Sequence, residues 1–274
     1  MGEENVLGVT KLVNWLLGKP AMALLVFLHI QPANSKYPIP NHVAMEFVVF
    51  LFAVVFFLWL KARISADRPG ATQQTMEILL TNSMGVGVRD LLDDIVGHGA
   101  ERHLPFFGSI AIFILFSNLI SVIPGFMSPT AANTVPLACA TLVFLYYHRF
   151  GIGKHGTGGY AKTLLGPTPK LFPINILMLL VETVSHFARV LSLTVRLWVN
   201  MMVSELIYIS FLGLSISLFV FLGHLNPVGY LSAIVPVVIP FALILFHIFE
   251  AILQAFIFTI LSVVYLGLAV AEEH

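Results

Sequence analysis

Charge is scarce in this sequence. Of its 274 residues only 10% are Asp, Glu, Lys or Arg, against 58% that are apolar, and the mean hydropathy is +0.93. A soluble domain carries roughly 25% charged residues, so this chain has too few to cover a water-facing surface. Cysteine is nearly absent too: Cys139 stands alone in an apolar run, which excludes an internal disulfide and argues against a thiolate metal site or nucleophile. The net charge is zero and no basic tail or patch occurs, which argues against a nucleic-acid partner. No Gly-rich loop ending in Lys and Ser/Thr is present, so the chain itself is not expected to bind or hydrolyse a nucleotide, and no cofactor pattern appears. His247 and Glu250 stand at helical spacing but lack a third convincing ligand, so no metal is expected.

What the sequence has in abundance is long apolar blocks, the pattern of a multi-pass membrane protein. Residues 1–42 read as an N-terminal interfacial or extracytoplasmic segment. In it Lys11 and Lys19 precede a stretch from Ala21 to Ile30 that is too short to span and faintly resembles a signal peptide, while Glu3 and Glu4 count against cleavage. The membrane domain takes up residues 43–274. A first span is expected from Val43 to Leu60, then an amphipathic helix on the membrane surface from Thr72 to Val96, weakened in the middle by Gly85 and Gly87. Spans from Phe106 to Ile123 and from Val135 to Tyr147 follow, joined by the turn-forming PGFMSPTAAN, and a polar loop runs from His148 to Lys170.

The last third reads as a long helical hairpin over residues 171–270. Its helices are Leu171–Leu222 and Val228–Val270, joined at GHLNP. A helix of about 50 residues is roughly 75 Å long, against a hydrocarbon core of about 30 Å. It must therefore be strongly tilted, curved or broken, and two ordinary spans with membrane-depth breaks fit the same length. The expected fold class is an all-α integral membrane protein, with five transmembrane helices plus one interfacial amphipathic helix, the last two spans very long and tilted.

Positive charge sets the expected orientation. With the N-terminus outside and the C-terminus cytoplasmic, nine Lys and Arg residues face the cytoplasm, three lie outside, and Arg189 and Arg196 lie within a span, accounting for all 14.

Ionisable residues stand inside the two long helices. An Arg or Asp at a span centre costs about 2.5–3.5 kcal/mol on insertion scales, and is tolerated facing a partner or a water-filled cavity. At 100° per residue, Glu182, Ser185, His186, Arg189, Ser192, Arg196, Asn200 and Ser204 fall within a sector of about 120°. Glu205 points away from that stripe, by roughly 180° relative to Arg196. On the last helix His247, Glu250 and Gln254 fall within about 60° of one another, with Tyr265 on the same side. Acids, imidazoles and small hydroxyls in a row suit relay of a proton or cation. A lone intramembrane His or Ser more commonly just joins two helices, and Glu182, Ser185, His186 and Arg189 are near enough to an interface to snorkel. Arg196 has more than a dozen apolar residues beyond it and no such exit.

These motifs are similar to those of the subunit-a family of F-type ATP synthases, bacterial type. Ser192 to Glu205, SLTVRLWVNMMVSE, resembles the family pattern S-L-x-x-R-L-x-x-N-M-x-x-x-E. His247 to Gln254 with the following AFIFTILSVVYLGLA resembles its terminal helix, and Asn118 to Pro129 its Asn-Leu…Ile-Pro-Gly segment. The resemblance covers about residue 42 to the C-terminus.

It implies a subunit of the proton-transporting synthase of a bacterial inner membrane with no catalytic site of its own. Such a subunit lies beside a ring of c subunits, with peripheral-stalk b subunits and the rest of the complex as further partners. Arg196 would face the ring carboxylates between two offset half-channels, with Asn200 and Gln254 close to it. Glu205 and His247 would line the outer half-channel, and Glu182 and Ser185 the cytoplasmic one.

Trp198 and Val199 depart from the usual Phe and Gly, and Glu250 adds a second acid one turn from His247. Ser121 stands where some members have an acid and receives no role. Two other readings of the buried charges remain open: a secondary transporter or channel with an Arg site, and a membrane scaffold. Proton and sodium ion are equally open as the transported species.

Overall fold

The computed structural model describes residues 6–31, 34, 36–65, 69–81, 87–97, 99–123, 126–165, 172–225 and 234–271. Helices dominate: α1 is Gly8–Phe27, α2 Asn41–Lys61, α3 Ala71–Thr81, α4 Val88–Val96, α5 Leu104–Leu119, α6 Thr134–Leu165, α7 Phe172–Leu225 and α8 Ile234–Val270. The fold is all-α and that of an integral membrane protein, as expected. Pro105, Pro136 and Pro173 each fall within the first three positions of a helix, where a missing N–H costs nothing. Lys61 closes α2 where a cation complements the helix dipole.

Among the described residues, six helices are long and apolar enough to cross a membrane, one more than the five expected. The additional one is α1, whose 20 residues begin well before the apolar stretch from Ala21 and include Pro20. The expected surface helix over Thr72–Val96 is instead two helices, α3 and α4, with Gly85 outside the described residues. The expected polar loop from His148 is helical as far as Leu165, broken at Gly156 with φ 72° and ψ 163°. That conformation is open to glycine. Beyond the break the chain turns back, so that the Tyr160 ring lies against Gly151, whose Cβ would come within 2.6 Å of it. Lys170 and the start of the last expected helix, Val228, lie outside the described residues. The 54 residues of α7 form one continuous helix rather than two spans with a break.

The chain divides into two compact units. The first comprises the described parts of Met1–Leu58, Phe113–Ala132 and Val199–Gln254. Here α1 packs Val13 against Ile39 and Ala44, and Asn14 locks it in place. The Asn14 amide donates to the carbonyls of Thr10 and Ile39, both at 2.9 Å, and its Oδ1 accepts from the Ile39 N–H at 2.9 Å. Phe52 and Phe56 meet Phe116 edge-on, at centroid separations of 5.4 and 5.6 Å.

The second unit comprises the described parts of Trp59–Ile112, Asn133–Trp198 and Ala255–His274. The amphipathic α4 turns Leu92 inward and lays Ile95 against Gly267 of α8, where a Cβ would sit 2.5 Å from Ile95 Cγ2. Phe106 stacks on Tyr146 at 3.7 Å, and the Tyr146 hydroxyl meets His103 Nδ1 at 2.9 Å. Lys154 donates to the Val270 carbonyl at 2.9 Å, satisfying a terminal acceptor of α8.

Candidate functional site

Each unit contains its own cluster of polar side chains within apolar helices. In the first unit the end of α5 supplies Ser117 and Asn118, and the 3-10 turn Ile120–Val122 that follows supplies Ser121, all buried. The following turn returns Ser128 and Thr130 to them. Thr130 donates to Asn118 Oδ1 at 2.6 Å and Ser128 to the Ser117 carbonyl at 2.9 Å, which fixes the shape of the turn.

His247 of α8 stands beside this turn, 3% exposed. Its Nε2 lies 2.9 Å from Ser121 Oγ and its Nδ1 2.7 Å from Ser204 Oγ of α7. The Ser121 hydroxyl can donate to the Asn118 carbonyl at 2.9 Å, and in the tautomer that matches this placement its oxygen accepts the Nε2–H. Nδ1 then carries no proton and accepts from Ser204. Tyr208 stacks near the imidazole, with centroids 6.3 Å apart.

Glu205 is 7% exposed, and its Oε2 has no hydrogen-bond partner among the described residues. It lines a cavity of about 380 Å³ together with Ser121, Tyr208, Asn41, Met202 and Leu7. Both His247 nitrogens are taken by serines rather than by Glu205, and Ser121 touches both the imidazole and the cavity. One turn along α8, Glu250 is half-buried, with its Oε2 likewise unpartnered among the described residues. Two turns along, Gln254 accepts from the Asn200 amide at 3.1 Å.

The second unit holds Glu182, Ser185, His186, Arg189 and Arg196. Glu182 lies 3.5 Å from His186 Nε2 and 3.7 Å from Arg189, one helical turn and two turns away. His186 Nδ1 meets the Tyr147 hydroxyl at 3.0 Å, and the His148 ring lies 4.8 Å from it. Arg189 is positioned over the Tyr265 ring at 5.4 Å. Ser185 is half-buried. Arg196 is half-buried and makes neither hydrogen bond nor ion pair with any described residue.

The structure thus gathers Glu205, His247, Asn200, Gln254 and Glu250 in one unit, and Glu182, Ser185 and Arg196 in the other. Sequence reasoning missed Ser121, Tyr147 and His148. The pattern around Ser121 was visible but its hydroxyl had no partner until α8 was placed, and the aromatic pair fell in a segment read as the edge of a loop. Imidazoles flanked by hydroxyls and acids can pass protons.

The sequence profile of the ATP synthase A chain family matches residues 43–267. The chain is 35% identical over 265 residues to ATP synthase subunit a of Koribacter versatilis, covering 97% of each. It is 39% identical over 242 residues to ATP synthase subunit a of Solibacter usitatus, covering 88% of this chain and 92% of that one. A further relative, ATP synthase subunit a of Geotalea uraniireducens, is 32% identical over 92% of this chain and 94% of its own length. With buried polar clusters on long membrane helices and matches that reach from one end of the membrane domain to the other, this chain belongs to the ATP synthase A chain family.

Proposed function

We propose that this chain is the stator subunit that forms two offset proton half-channels against a rotating ring of c subunits. In this role it couples proton flow across a bacterial inner membrane to ring rotation and ATP synthesis. The observation that carries the reading is Arg196, a guanidinium deep in a membrane helix with no partner among the described residues. A buried cation without a counter-charge costs several kcal/mol, so its partner is supplied by another chain, and a carboxylate suits it.

Each unit's cluster supports a separate access route. In the first unit Glu205 and His247 stand at a cavity, with Asn200, Gln254 and Glu250 nearby on the same two helices. In the second, Glu182, Ser185 and His186 lie on one face of α7. A ring carboxylate protonated from one route is neutral and crosses lipid, while an ionised one is held back by the cost of burying charge. Arg196 favours ionisation of the arriving carboxylate and so promotes release. Its fixed positive charge also repels a proton that would pass directly between the routes.

The c subunits, the peripheral-stalk b subunits and the rest of the synthase are the partners this role requires. The long hairpin over residues 171–270 is the face turned to the ring, and residues 1–42 form an interfacial or extracytoplasmic segment in which α1 lies along the membrane surface, although it is long and apolar enough to cross. The excess of Lys and Arg on one side of the spans supports a cytoplasmic C-terminus. Affinity purification of this chain from mild detergent tests the assignment. It should bring with it a ring of small two-helix subunits and a nucleotide-hydrolysing head. A chain that purifies alone and conducts ions in vesicles would contradict the stator role.

A further inference from the structure

We propose that Ser121 and Ser204 are proton-relay residues, with the Ser121 hydroxyl joining the cavity at Glu205 to the imidazole of His247. The inference rests on the proton path proposed above and names groups within it that the family resemblance left without a role. Three observations point to it. His247 has a hydroxyl on each ring nitrogen, at 2.9 and 2.7 Å. Glu205 makes no hydrogen bond to it, although both belong to the same unit. Of the two hydroxyls bonded to His247, Ser121 also lines the cavity that Glu205 lines.

A hydroxyl both donates and accepts, so a hydroxyl–imidazole–hydroxyl row passes a proton without any member ending with a surplus charge. In the pumping direction a carboxylic acid presented by the neighbouring ring gives a proton to Ser204 Oγ, directly or through water. The Ser204 O–H bond breaks as its proton forms a bond with His247 Nδ1. The Nε2–H bond breaks as that proton passes to Ser121 Oγ, whose own proton leaves the Asn118 carbonyl for water or carboxylate in the cavity. One proton enters at Ser204 and one leaves at Ser121, and the imidazole ends in its other tautomer. Rotation of the two hydroxyls and a return of the ring proton reset the row. Synthesis runs the same steps backwards. Ser121 and Ser204 are both at least nine-tenths buried.

The test is ATP-driven proton pumping by the assembled complex in inverted vesicles, with rates expressed per assembled complex. Ser121→Ala and Ser204→Ala are each compared with the corresponding Thr variant, which keeps the hydroxyl. The Ala variants are expected to lose about tenfold in rate, less than the ~100-fold of a positioned acid–base group because cavity water takes over part of the transfer. The Thr variants are expected to recover most of it. Equal rates in the Ala and Thr variants, whether both high or both low, would overturn the relay, because the hydroxyl would then be irrelevant. Glu205→Gln separates the two levels of the argument. If it blocks pumping while Ser121→Ala pumps as well as Ser121→Thr, only the relay falls. If Glu205→Gln itself pumps normally, the proton path through this unit falls with it.

Discussion

The side-chain amide of Asn200 donates to Gln254 Oε1 at 3.1 Å, and this bond ties α7 to α8 inside the first unit. Gln254 is 2% exposed, whereas Asn200 is exposed, so the bond has a dry end and an open end. Gln254 Nε2 has no partner among the described residues and keeps a donor in reserve. An interhelical hydrogen bond in a membrane contributes about 0.6 kcal/mol on average. Asn200→Ala should therefore lower the stability of the purified complex by about that amount and leave most proton pumping intact. Gln254→Leu removes the spare donor as well and should reduce pumping several-fold more. Equal pumping in the two variants would show that the free amide has no part in the proton path.

The close approach of α4 to α8 gives a second expectation. A methyl group at Gly267 would lie 2.5 Å from Ile95 Cγ2 and 3.2 Å from the Ile95 carbonyl oxygen. Gly267→Ala should therefore cost about 1–3 kcal/mol, seen as a lower thermal midpoint and less subunit in the membrane. Adding Ile95→Ala removes the nearer clash and should recover part of the loss. A single Gly267→Ala variant as stable as the parent would mean that α4 is not seated on α8 as described.

The hydrophobic pattern made most of this architecture legible. Apolar blocks located α2, α5, α7 and α8 to within a few residues at the ends that lie among the described residues, because only a helix satisfies its own backbone in lipid. The family match begins at residue 43, beside the start near residue 42 of the resemblance read from the motifs. The far end of α6 was not legible. Gly153, Gly156, Gly158 and Gly159 weaken a helix signal, and the packing of the Tyr160 ring on Gly151 is a contact that exists only after folding. The extent of α1 was hidden for a related reason. Its first half is polar enough to read as interfacial, and its place depends on three hydrogen bonds between Asn14 and partners that include Ile39, 25 residues away. At the site, spacing placed the stripe on α7, and His247, Glu250 and Gln254 on one side of α8. It could not place Ser121, whose partner His247 is 126 residues distant.

Asn14 supplies a third expectation. Asn14→Leu would leave the buried N–H and C=O of Ile39 without their partner, at about 1–3 kcal/mol for each unsatisfied group. Limited proteolysis between α1 and α2 should then become faster while the remaining helices stay protected. Unchanged cleavage would mean that α1 is held by its apolar face alone.

Arg196 carries the central claim, because its role is argued to need more than its charge. A guanidinium keeps its proton in any protein environment and presents a planar fork of five donors to a passing carboxylate. A lysine ammonium is compact, reaches less far and gives up its proton more readily when desolvated. At this depth it would turn neutral when no carboxylate faced it, opening a direct path between the two routes. Each charge moved through 100 mV releases about 2.3 kcal/mol, and in the proposed mechanism that energy becomes rotation only while the direct path is closed. The measurement is ATP synthesis by Arg196→Lys and Arg196→Ala complexes in vesicles energised by a known potential, with passive proton leak recorded alongside. Both variants should assemble and lose nearly all synthesis, with leak raised above that of the parent. An Arg196→Lys complex that kept most of its synthesis rate at parental leak would contradict the claim, since a point charge alone would then suffice.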